Sequence, residues 1–260
     1  MHPRGKVCVV TGGASGIGEA VARAWKAAGA RGVVVADLNA EKLAAVANDI
    51  GALGVPTDVS KEAYIQALIA AAEAKFGQVD VFYSNAGISR AGMESASDAD
   101  WDLNWRVHVL SHVFAARVLV PKMLARGEGY LINTASAAGL LTSMNSMAYG
   151  VTKSAAVSLA EHLAIQYGDR GIRVSVLCPQ AVRTGMSSGR PGAASVDGVM
   201  TAAEVAQIVL AAMEAERFMI LSHDTVQDYE ARKVSNRDRW LAGMRRLRNR
   251  IYGTPPGVQA

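Results

Sequence analysis

The chain has 260 residues, half of them hydrophobic, with two cysteines and a formal net charge of +4. That length and apolar share suit one large α/β domain or two small ones, and Cys8 and Cys178, each inside a short apolar β-type run, exclude a disulfide scaffold or a metal site as the organising device. No uninterrupted apolar run is long enough to span a bilayer, and "MHPRGKVCVVTGG" passes from polar residues straight into a strand-like run, so a soluble, cytoplasmic protein without a membrane partner is expected.

Short β-branched runs alternate with longer Ala-rich segments of helical period, the pattern of βαβ units and a parallel sheet covered on both faces. The first strand, 6–10, leads through "TGGASGIG" (Thr11 to Gly18) into a helix over 16–29. Glycines at Gly12, Gly16 and Gly18, with Ser15 and Ile17 between them, let a backbone approach a pyrophosphate at a helix N-terminus. The second strand, 32–36, runs into Asp37, where a carboxylate accepts hydrogen bonds from an adenosine ribose. That charge repels a 2′-phosphate, and Leu38 follows instead of a neutralising arginine, so NAD is favoured over NADP.

A helix over 39–50, a strand over 53–56, a helix over 60–76 and a strand over 79–84 come next, then a long helix over 99–126. His108 and His112 stand there at i and i+4, a spacing used for metals, but no third ligand motif accompanies them and no metal is expected. A strand over 129–135 precedes Ser136, and a helix over 147–168 carries "SMAYGVTKSA" near its start. After the strand at 172–177, "TGMSSGRPGAASVDG" (Thr184 to Gly198) reads as a mobile lid. A helix over 202–215, a strand over 218–221 and a helix over 224–250 complete the chain. One domain over 1–260 is expected, with 223–260 as a helical extension. Between Arg232 and Arg250 lie eight Lys/Arg and one acid, so the basicity belongs to the tail.

Tyr149 and Lys153, at i and i+4, share one face of a helix. An ammonium close to a phenol favours the phenolate, so the pair is expected to lower the tyrosine pKa and to serve as general base or acid.

With "TGGASGIG", Asp37, "SNAG" (Ser84 to Gly87), Ser136 and "YGVTK" in order, and thirteen residues from Ser136 to Tyr149, the chain resembles the short-chain dehydrogenase/reductase family over nearly its whole length. The resemblance implies a Rossmann-type, doubly wound seven-stranded parallel sheet, hydride exchange with a nicotinamide, and a homo-oligomer, dimer or tetramer. It implies that Tyr149 moves the alcohol proton, Lys153 also holds the nicotinamide ribose, and Ser136 hydrogen-bonds the substrate oxygen. Asp58 and Val59 resemble the adenine contacts, and Asn85, Ala86 and Gly87 the motif under the cofactor, with Ser84 where an asparagine is usual. Pro179, Val182 and Thr184 match the nicotinamide end, with Gln180 in place of the common glycine and its side chain expected toward the substrate.

A further departure concerns the fourth catalytic position, usually asparagine. Aligned by Trp101 and "VPKM", that place holds His108, either relaying protons through a water or filling the space, while Asn104 sits one turn earlier. The expected substrate-side residues, Ile88, Leu140, Leu141, Met144, Met147, Gln180 and Met186, are mainly apolar and suggest a hydrophobic secondary alcohol or ketone. Arg90 and Arg183 leave room for an anionic group on it. Trp240, Met244, Leu247 and Ile251 form a stripe at helical spacing, expected to dock on a neighbouring subunit or over the site and not on nucleic acid. The competing reading is a non-catalytic NAD-sensing regulator acting through the basic helix, and the intact Ser136, Tyr149 and Lys153 set argues against it.

Overall fold

Runs that are apolar at every position are what a sheet covered on both faces requires, and Val7–Thr11 is buried throughout. The structure, a computed structural model, describes residues 1–185 and 192–253. Six strands, β1 (Val7–Thr11), β2 (Gly32–Asp37), β3 (Leu53–Pro56), β4 (Val81–Ser84), β5 (Gly129–Thr134) and β6 (Ile172–Cys178), alternate with helices. A two-strand ribbon, β7 (Val182–Arg183) and β8 (Met200–Thr201), precedes the last strand, β9 (Met219–Leu221). The main sheet is seven-stranded and parallel in the order β3-β2-β1-β4-β5-β6-β9. Strand order reverses between β1 and β4, and the crevice beyond their carboxyl ends is where open α/β sheets bind ligands.

The helices are α1 (Gly16–Ala27), α2 (Ala40–Ile50), α3 (Glu62–Phe76), α4 (Asp98–Trp105), α5 (Ser111–Arg126), α6 (Ala137–Leu141), α7 (Met147–Tyr167), α8 (Ala202–Glu214), α9 (Thr225–Ser235) and α10 (Arg237–Tyr252). Two apolar cores follow. Trp25, Leu43 and Val209 place α1, α2 and α8 in one, and Leu68, Leu119 and Val157 place α3, α5 and α7 in the other. Side-chain caps set several helix starts: Asn39 accepts from the Lys42 N–H at 3.0 Å, and Thr201 and Glu204 form a reciprocal capping box.

Three features differ from the pattern read in the sequence. The helix expected over 224–250 breaks at Asn236, whose extended backbone (φ −154°) and side chain, accepting from the Arg239 N–H at 2.9 Å, end α9 and start α10. The short α6 was not expected, because five residues carry too little periodicity to show. A π-helical turn, Arg106–Leu110, joins α4 to α5. The continuous helix Asp98–Arg126 is long and apolar enough to cross a membrane, but 61% of its apolar window is buried in the fold, which accounts for its composition.

Candidate active site

The turn after β1 is built by exclusion of side chains. Gly12 adopts φ 65°, and a Cβ on Gly18 would stand 2.2 Å from the Gly12 carbonyl oxygen. Ser15 precedes α1 without a side-chain cap, so the first N–H groups of α1 retain their capacity for an anion. Asp37, at the end of β2, accepts from the Ala14 N–H at 3.1 Å and the Asn39 N–H at 3.0 Å, tying the glycine turn to the next strand. Leu38 beside it is 75% exposed. Asp58 accepts from the Ser60 N–H and hydroxyl and pairs with Lys61 at 3.2 Å; burial opposes its ionisation, but these bonds prevail and its pKa is lowered. The N-cap of α3 is Lys61, three residues beyond Asp58.

Asn85 knits three strand ends together. Its amide donates to the Thr11 carbonyl at 3.0 Å, its carboxamide oxygen accepts from the Thr134 hydroxyl at 3.2 Å, and the Asn85 and Ala86 N–H groups donate to the Thr11 hydroxyl. Ser84, where an asparagine is usual, is buried behind this knot.

Ser146 caps α7, accepting from the Tyr149 N–H at 3.3 Å and donating to the Arg90 carbonyl at 2.6 Å, which fixes Tyr149 against the loop after β4. Ser136 starts α6 by accepting from the Ala138 N–H at 3.1 Å and donates to the Pro179 carbonyl at 3.4 Å, near enough to Tyr149 to oppose the rise of its pKa. Lys153, buried, donates to the Thr134 carbonyl at 2.8 Å and lies 5.7 Å from the centroid of the Tyr149 ring. Burial brings the Lys153 pKa down to about 7. Burial likewise raises Tyr149, with the Ser136 hydrogen bond working against it. The expected lowering of the phenol pKa by the lysine is therefore not seen for the chain's own residues: desolvation prevails, and Ser136, not Lys153, supplies the opposing effect.

His108 is fully buried. Its Nε2 accepts from the Ile88 N–H at 3.1 Å, and its Nδ1 lies 3.0 Å from the Thr152 hydroxyl, which itself donates to the Ala148 carbonyl at 2.8 Å. That network assigns the proton to Nδ1. Burial and the charges of Lys153 and His112 push His108 down to about 2, so the ring is neutral at ordinary pH. His112 is held down at about 3 for the same first reason, and among the described residues neither of its nitrogens has a hydrogen-bond partner. Asn104 spends its amide on the Asp100 carbonyl at 2.7 Å, and its buried oxygen has no partner among the described residues. Cys8 and Cys178 are both free and buried, and burial pushes the Cys178 thiol up to about 12.

One cleft of about 2240 Å³ gathers these parts, well beyond the roughly 300–1,000 Å³ of a single-ligand pocket. The glycine turn with Ser15 and Ile17, Asp37 and Leu38, Asp58 and Val59, Asn85 to Gly87, Ser136, Tyr149, Lys153, Pro179, Val182 and Thr184 all line it. Gly18 and His108 are not on its wall: Gly18 packs under Gly12, and His108 lies behind Gly87. On the substrate side, Ile88, Leu141, Met144 and Gln180 face the cleft, whereas Leu140 is core and Met147 points elsewhere. The Gln180 amide is turned to Asp197 at 2.8 Å rather than left for a substrate. Met186 and the lid residues 187–191 fall outside the described residues. Leu103 and Val107 also line the cleft, and the sequence offered no signal for them because their helix is apolar on several sides.

Residues 6–193 match the family described as short chain dehydrogenase. The chain belongs to the short-chain dehydrogenase/reductase family. As such a dehydrogenase, an oxidoreductase, it is 35% identical over 193 residues to 3beta-hydroxysteroid dehydrogenase 2 of Eggerthella lenta, covering 71% of this chain and 74% of that one. It is 36% identical over 186 residues to D-threitol dehydrogenase of Mycolicibacterium smegmatis, covering 69% and 71%. Among solved structures, a short chain dehydrogenase/reductase from Burkholderia phymatum in complex with NAD superposes over 100% of both chains with a TM-score of 0.83 at 29% identity.

Proposed function

We propose that this dehydrogenase interconverts a hydrophobic secondary alcohol and its ketone with NAD(H), Tyr149 exchanging the proton. The observation that carries this reading is the convergence of Ser136, Tyr149 and Lys153 on the wall of a cleft whose other end holds the glycine turn and Asp37. The fit to a dinucleotide rests on the side-chain-free cleft wall at Gly12 and Gly16, on the uncapped start of α1 and on a carboxylate at Asp37, beside which Leu38 supplies no charge for a 2′-phosphate. Relatives named 3beta-hydroxysteroid dehydrogenase 2 and D-threitol dehydrogenase support an alcohol as substrate, and a neighbour solved with NAD supports the cofactor.

A bound nicotinamide supplies the hydride in reduction and accepts it in oxidation. The chain's residues handle the oxygen and the proton. In reduction, the Tyr149 phenol donates its proton to the carbonyl oxygen as negative charge develops there, while the Ser136 hydroxyl hydrogen-bonds the same oxygen. In oxidation the phenolate takes the alcohol proton. Lys153, held by the Thr134 carbonyl 5.7 Å from the tyrosine ring centroid, would hold the nicotinamide ribose when the cofactor is bound. His108 serves as a positioning residue: with both ring nitrogens engaged, it pins the Ile88 backbone to α7 and so fixes Gly87 against the helix that carries Tyr149.

The test follows reduced-nicotinamide fluorescence with NAD and, separately, NADP against pooled aliphatic, aryl and steroid-like secondary alcohols. Signal with NAD in the wild type, absent in Tyr149→Phe, is the expected result; turnover that survives in Tyr149→Phe would defeat the mechanism.

A further inference from the structure

The helix α10 lies along the mouth of the cleft, and two of its stripes face inward. Trp240, Met244, Leu247 and Ile251 form an apolar one, and Arg239, Arg246 and Arg250, seven and eleven residues apart, form a cationic one beside it. The pair α9 and α10 is fastened there: the Tyr229 hydroxyl donates to Asp197 at 2.9 Å, the Lys233 ammonium donates to the Leu140 carbonyl, and α10 touches the turn Ala193–Ser195.

Charge in the cleft is segregated by topology. Its carboxylates, among the described residues, are Asp37 and Asp58, at the ends of β2 and β3 on one side of the sheet. Arg239, Arg246 and Arg250 of α10 are at the other. Among the described residues, Arg239, Arg246 and Arg250 have no carboxylate partner. Arg246 and Arg250, at i and i+4, repel each other, a cost that an anion between them would turn into attraction. Space for one exists. Gly243 contributes no side chain, and a shallow recess of about 380 Å³, open to solvent, lies among Gly243, Arg246, Leu247 and Arg250 along α10.

Resting on the alcohol and ketone chemistry proposed above, we infer that this recess is an anion subsite and that the substrate is amphipathic. Its reacting carbon lies at Tyr149, its hydrocarbon body runs along the apolar wall, and its terminal carboxylate or phosphate sits between Arg246 and Arg250. Guanidinium forks bind such groups in bidentate fashion, which an ammonium cannot copy.

The test is calorimetric titration, with NAD present, of a long-chain methyl ketone ending in a carboxylate, the same chain ending in a phosphate ester, and the methyl ester of the first. The wild type is expected to bind the carboxylate about tenfold tighter than the ester, a ratio that shrinks as salt rises. In the double variant Arg246→Ala and Arg250→Ala that ratio should collapse toward one, and Lys at both positions should restore only part of it. The order of carboxylate and phosphate ester identifies the headgroup. Equal binding of acid and ester in the wild type, or a ratio unmoved by the double variant, overturns the subsite. So does loss of flotation with anionic phospholipid vesicles in the variant while its acid-over-ester ratio stands, which would assign the arginines to a lipid surface. Calorimetry reads binding without turnover, so an intact ratio with no nicotinamide signal would fault the proposed reaction and still support the subsite.

Discussion

Lys153 is buried and Tyr149 half-buried on the cleft wall, and the desolvation of each bears on its protonation. The phenol is pushed up and the ammonium down to about 7, so near neutral pH the tyrosine holds its proton and is poised to donate it. Ketone reduction should therefore hold up toward lower pH, and alcohol oxidation should climb with rising pH as phenolate forms; initial rates in both directions across pH check the sign. Tyr149→Phe should bind cofactor normally and lose at least about a thousandfold in kcat, since the proton then has no carrier. At the other end, Asp37→Ala should narrow the preference for NAD over NADP, read as the ratio of specificity constants. Because Asp37 also holds the Ala14 and Asn39 N–H groups, the same variant should weaken NAD itself. The sequence pointed to these residues because backbone chemistry at a glycine turn and an i, i+4 pair on a helix are local facts. It could not show the sign of the tyrosine shift, because desolvation depends on everything packed around the ring.

Among the elements, the helix from Asp98 to Arg126 is the most informative. Its length was legible from apolar periodicity, but the π-helical turn at Arg106–Leu110, which seats His108 behind Gly87, was not. With Nε2 taking the Ile88 N–H and Nδ1 at Thr152, His108 has no free nitrogen for a relay. His108→Asn should lower kcat modestly without moving the pH profile; a displaced profile would restore the relay reading. Asn236 teaches the same lesson at the other end of the chain. Asparagine is a good N-cap and tolerable in a helix, so whether it interrupts 224–250 is settled by what α9 and α10 each pack against.

For the molecule as a whole, stability in acid follows from its buried histidines. His108 and His112 sit at about 2 and 3 in the fold against 6.5 ordinarily, so below pH 6.5 the unfolded chain binds protons that the folded one refuses. The histidines' contribution is complete above that pH and falls as pH drops from 6.5 toward 3, with an uptake of roughly two protons on unfolding, while Lys153, at about 7 against 10.5, adds a separate rise at higher pH. Urea titrations across this range give the slope. His112→Leu should flatten it by about one proton and raise stability at neutral pH, since both His112 nitrogens are buried without partners among the described residues.

By itself the sequence determined the α/β alternation, the glycine turn with Asp37, and the Tyr149 and Lys153 pair, because each is written in residues close along the chain. Only the tertiary structure decided which of them share a cleft, that His108 is locked between Ile88 and Thr152, and that the basic helix lies at the cleft mouth with Arg239, Arg246 and Arg250 along it. Those outcomes depend on burial and on contacts between distant segments, such as Tyr229 with Asp197, that no local pattern encodes.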